Sequence, residues 1–126
     1  MTKSLRITIS VLCLFAFAAS LIAAGMPKIA EHQRITFNKP MLLGNTELPA
    51  GTYNVLHQMQ GTDHYMLFQQ TDVRKDKAVE VKVKCNLVPL DGKAKRSETK
   101  YMQNAKNQNV LVELTFQGDE AKHVLE

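Results

Sequence analysis

The chain has 126 residues, with 16 Lys and Arg against 12 Asp and Glu and a formal charge of +4. That length holds one domain with a sizeable core and is too short to divide into two. The positive excess is small and partly a property of the N-terminus, so charge gives no case for a nucleic-acid partner.

Lys3 and Arg6 precede an apolar or small run from Ile7 to Ala24, and Ala23-Ala24-Gly25 sets small residues before Met26. Positive, apolar and small regions in that order predict a secretory signal peptide over residues 1–25. The rival reading is a membrane anchor, since the run approaches the roughly 18–20 apolar residues that span a bilayer. The small residues at its end favour cleavage. A lipoprotein signal does not fit, because Cys13 lies in mid-run without small residues before it. Cleavage would leave 101 residues, secreted or periplasmic and without a membrane span. Lys3 and Arg6 leave with the signal and no acid does, so +4 becomes +2. Cys85 would then be the one cysteine, unable to form an internal disulfide: buried, metal-bound or paired between chains.

Residues 26–34 are polar apart from Ile29 and predict a flexible leader, with residues 35–126 as a single β-domain. Ile35 and Phe37 open a strand that Pro40 interrupts and Met41 to Leu43 continues, which places it at an edge or a bulge. Gly44-Asn45-Thr46 turns the chain. In Leu48-Pro49-Ala50-Gly51 the proline presets the turn's second position and glycine takes the fourth. Thr52, Tyr53 and Val55 then favour an extended chain. If Gln60-Gly61-Thr62-Asp63 is the next loop, Met59 pairs with His64 and His57 with Met66, with all four side chains on one face. Past a charged loop, Val79, Val81, Val83, Cys85 and Leu87 alternate with Glu80, Lys82, Lys84 and Asn86, as in an antiparallel sheet with one wet side. Pro89 ends that strand and Asp91-Gly92 signals a turn. Ser97 to Met102 is a polar strand candidate. Val110, Val112, Leu114 and Phe116 alternate again, Gly118-Asp119 turns, and Ala121 to Leu125 makes a last short strand. About seven strands without a helical period predict an antiparallel β-sandwich or small barrel. An immunoglobulin-type sandwich is excluded, for want of two cysteines and of the tryptophan signature.

The run ITFNKPMLLGNTELPAGTYNV resembles the opening of small exported bacterial β-sandwich proteins, which carry a strand, a glycine turn and an L-P-A-G-T-Y-x-V element. The HVLE near the end also fits their usual finish. The resemblance covers mainly residues 35 to 56 and implies secretion and a β-sandwich; it implies no activity.

His57, Met59, His64 and Met66, with Cys85 if its strand neighbours the hairpin, form the one set of residues pointing to chemistry. Imidazoles, thioethers and a thiolate select soft metals, copper(I) in particular. The plainer reading is that methionine fills β-cores well and a half-exposed histidine pair needs no metal. Cys85 as a nucleophile lacks the electropositive setting that depresses a thiol pKa. Beyond the signal the only serine is Ser97, with no nucleophile-elbow context, and no paired carboxylates, phosphate loop or dinucleotide fingerprint occurs. Lys82, Lys84, Lys93, Lys95, Arg96 and Lys100 would suit an anionic envelope polymer, or a solvated face that discourages strand pairing. The sequence thus predicts an exported, non-catalytic β-domain without a cofactor, acting by binding or as an envelope component. A protein or envelope partner is expected, and a monomer or weak oligomer. The alternative is a copper-binding protein.

Overall fold

The computed structural model describes residues 26–126; the signal peptide expected over residues 1–25 lies outside them. Among the described residues there are nine strands and no helix. They are β1 (His32–Phe37), β2 (Met41–Leu43), β3 (Thr46–Leu48), β4 (Gly51–Gln60), β5 (Asp63–Gln70), β6 (Glu80–Pro89), β7 (Glu98–Gln103), β8 (Asn109–Thr115) and β9 (Ala121–Leu125). No helix among these residues is long and apolar enough to cross a membrane.

The strands form one sheet in the order β1-β4-β5-β6-β9-β8-β2-β3, with β7 pairing β8 off this path. All pairings are antiparallel except that of β2 with β8, which is parallel at Leu42 and Val110. The all-β expectation therefore holds, while two parts of it are corrected. The sheet is mixed, and it is not a closed barrel: β1 and β3 end the order without pairing each other, and closure requires that bond. Pro40 accounts for much of the difference. It has no N–H and a fixed φ, so the ladder breaks there and β2 starts afresh at the far end of the sheet from β1. Thr46–Leu48, read as the end of a turn, instead folds back on β2, with Met41 opposite Leu48. Splitting one strand and adding another turns about seven into nine.

A second correction lies in β8. Lys100 pairs with Glu113 and Tyr101 with Leu111, so Val112 has no partner. Such a bulge sets two residues against one and reverses the side-chain alternation beyond it. Leu111, Leu114 and Phe116 are buried, and Val112, expected inward, is not among the core residues.

One core joins both halves of the order. Tyr53, Val55, Met66, Phe68 and Cys85 from β4 to β6 pack in the same cluster as Met41, Leu43 and Leu48 from β2 and β3. The Tyr53 hydroxyl donates to the Pro49 carbonyl at 2.6 Å and so fixes the turn into β4. The segment expected as a flexible leader is fastened. His32–Arg34 already belong to β1. Before them, the Lys28 N–H donates to Glu120 at 2.9 Å, the Ala30 N–H to Asp119 at 3.0 Å, and the Glu31 carbonyl accepts the His57 N–H at 2.9 Å.

Candidate metal centre

The β4–β5 hairpin turns on Gly61 and Thr62 between the paired residues Gln60 and Asp63. Gly61 has φ 62°, which a type II′ turn asks of its first central residue and glycine adopts freely. This short loop fixes the register foreseen from sequence: His57 faces Met66 and Met59 faces His64. The histidines meet, with His64 Nδ1 3.1 Å from His57 Nε2 and ring centroids 5.1 Å apart. The methionines have different surroundings. Met66 is 1% exposed and part of the core, whereas Met59, near the hairpin's tip, is 52% exposed.

Cys85 joins the histidines because β6 pairs β5, setting Cys85 directly opposite His64. The next strand, β9, adds a residue that sequence reasoning missed. Leu87 of β6 pairs with His123, whose imidazole is buried between Phe116 and His57 at centroid distances of 5.7 and 5.6 Å. In a flat sheet β4 and β9, three strands apart, would be separated by about 14 Å. Their imidazoles meet because the sheet curls and its inner face is concave. One ligating atom from each of His57, Cys85 and His123 lies within 4.8 Å of the other two.

Asp119 completes the cluster. Its N–H donates to the Phe116 carbonyl at 3.1 Å, and Gly118 before it has φ 89°, the geometry of a type II turn with glycine third. The turn aims a buried carboxylate back at β9. Oδ1 accepts the Ala30 N–H, and Oδ2 lies 3.6 Å from His123 Nε2, too far for a hydrogen bond. Among the described residues, the buried side-chain polar atoms without a hydrogen-bond partner are Asp119 Oδ2 and His123 Nδ1, both in this cluster. An unpartnered buried polar atom costs roughly 1–3 kcal/mol, so their coincidence here is informative.

The electrostatics favour neutral donors. Burial, and then the charge of His57, push His123 down to about 4 against the pull of Asp119. Its imidazole is therefore neutral near pH 7, and its contact with Asp119 is not a salt bridge. Burial, then the neighbouring His64, lowers His57, with Asp119 and Glu31 opposing. Burial, then Glu126, raises the Cys85 thiol to about 11. A thiol so protonated is a poor nucleophile, and only a cation at the sulfur would draw off its proton.

Two neutral imidazoles and one thiol form a soft donor set. Bonds of about 2.0–2.3 Å require donors roughly 3.3–4.4 Å apart, which the spacing of no more than 4.8 Å meets with little or no movement. Three converging donors suit copper(I), and equally a zinc ion that keeps an open position. Of the residues singled out from sequence, His57 and Cys85 belong to the cluster, His64 holds His57, Met59 stands outside near the hairpin tip and Met66 packs beneath. The missed signal was the alternation Ala121, His123, Leu125, which puts a histidine at an inward position. Two lysines of the basic surface are engaged locally, Lys84 3.6 Å from Asp63 and Lys82 4.7 Å from the Tyr65 ring centroid, and Arg96 lies 2.7 Å from Glu98.

No family model, curated protein or solved structure matches the chain.

Proposed function

We propose that this protein is an exported, non-catalytic β-sandwich domain that binds one soft metal ion, copper(I), between His57, Cys85 and His123. The observation that carries the reading is the pairing of a His-Cys-His set, two of its members buried and His57 half-buried, with the unpartnered Nδ1 of His123. Closing the 3.6 Å gap between Asp119 Oδ2 and His123 Nε2 on metal binding would let Asp119 take the Nε2–H and leave Nδ1 as the ligating atom, the carboxylate–histidine–metal arrangement common around metal ligands. A sandwich is supported by the single core drawn from both ends of the strand order. Export is supported by the pattern of the first 25 residues and by the resemblance of residues 35 to 56 to exported β-proteins. The raised Cys85 thiol argues against a nucleophilic role.

Anaerobic titration with copper(I) against a coloured chelator tests the reading. One ion per chain should bind tightly, and Cys85→Ser and His123→Ala should each abolish that binding while circular dichroism stays β. Binding that is absent, or survives both substitutions, would sink it and leave the domain's role to an envelope or protein partner.

A further inference from the structure

The proposed site is buried, yet an ion must reach it. Cys85 and His123 are each 1% exposed, so neither can meet an incoming ion held by other ligands. His57 is half-buried, and its Nε2 contacts His64 Nδ1 at 3.1 Å. His64 pairs with Met59 across the hairpin, and the Met59 side chain is 52% exposed. An exposed thioether, the two half-buried imidazoles of His64 and His57, and the buried donors thus lie next to one another. Met59, exposed at the strand's end, adds little to the core.

We propose that Met59 and His64 form the entry port of the site, passing copper(I) from small thiol or thioether complexes in solution to His57, Cys85 and His123. The proposal rests on the reading of the buried cluster as a copper site. Transfer is ligand exchange without change of oxidation state. The carrier's Cu–S bond breaks as the Met59 sulfur binds, the ion moves to His64 and then His57, and the Cys85 proton leaves to solvent as the Cu–thiolate bond forms. The hydrogen bond between His64 and His57 opens during passage. That contact keeps the two rings within one exchange step of each other.

Loading kinetics separate a port from a ligand. Copper(I) would be delivered anaerobically from its bicinchoninate complex to the purified protein, in stopped flow and at equilibrium. Met59→Leu is near-isosteric and on the surface, so folding is spared. Met59→Leu and His64→Ala should each slow loading about tenfold, a barrier about 1.4 kcal/mol higher. Equilibrium affinity should stay that of the parent protein in Met59→Leu; in His64→Ala, which also loses the hydrogen bond that holds His57, loading should slow by more than affinity falls. Unchanged loading rates would overturn the port and leave the buried site standing. A fall in affinity equal to the fall in rate constant would also overturn it, since Met59 or His64 would then be a resident ligand. If the parent protein takes no copper(I), the port falls together with the function it serves.

Discussion

At the scale of single residues, the carboxylate of Asp119 decides what His123 can do. A negative oxygen beside Nε2 favours the tautomer with its proton on that nitrogen, leaving Nδ1 free. Asp119→Asn tests this. The amide oxygen can still accept the Ala30 N–H, so the N-terminal strap stays in place. The amide NH2 would face Nε2, move the ring proton to Nδ1 and block the ligating atom. We expect copper(I) affinity to fall roughly 10- to 100-fold, with the melting temperature little changed. An unaltered affinity would mean that His123 does not ligate through Nδ1. Tyr53→Phe probes a contact remote from the site. Losing the 2.6 Å bond to the Pro49 carbonyl should cost about 1–2 kcal/mol in urea denaturation, without any effect on metal titration.

At the scale of elements, turns place the donors. Gly118 has φ 89°, and a Cβ built there meets nothing within 4 Å. The cost of Gly118→Ala is therefore backbone strain alone, about 1–2 kcal/mol. Because that turn aims Asp119, the substitution should also weaken metal binding, and calorimetry would show both losses in one variant. Binding unaffected by this change would detach the turn from the site. The hairpin shows which parts of the fold were legible in the sequence. Its register followed from turn chemistry and period-2 alternation, both local, and was read to the residue: His57 with Met66, Met59 with His64. The Val112 bulge was not legible, since it comes from how β7 and β8 pair and leaves an apolar alternation in the sequence that looks regular. The return of β3 onto β2 was hidden for the same reason, because a three-residue strand has no period to read. Two of the three converging donors could be found because local patterns place them. His57, His64 and Cys85 lie on strands with strong local patterns, whereas His123 reaches them only through the order β6-β9 and the curl of the sheet.

For the molecule as a whole, the buried cluster sets how stability responds to pH. His123 is held at about 4 in the folded chain, against 6.5 for an ordinary histidine. Between those values the unfolded chain binds a proton that the folded one refuses. Stability is therefore full above the unfolded value and falls as the pH drops through the window, levelling off below the folded value. The groups facing His123 do not reverse the sign: burial and His57 lower it, His64 adds to the lowering, and Asp119 opposes without prevailing. His57, lowered chiefly by burial, acts in the same direction. We expect the metal-free protein to lose on the order of 2–3 kcal/mol through His123 between pH 7 and pH 4, read from urea midpoints at several pH values. Carboxylates add their own losses toward the acid end, so the informative quantity is the difference from His123→Leu. That variant should show a flatter profile between pH 7 and pH 5, where few carboxylates titrate. Parallel profiles would mean that Asp119 accommodates a charged His123, giving a buried ion pair in place of a neutral donor. A neutral imidazole is also what a metal requires, so the same burial that makes the domain sensitive to acid would suit it to the proposed ion.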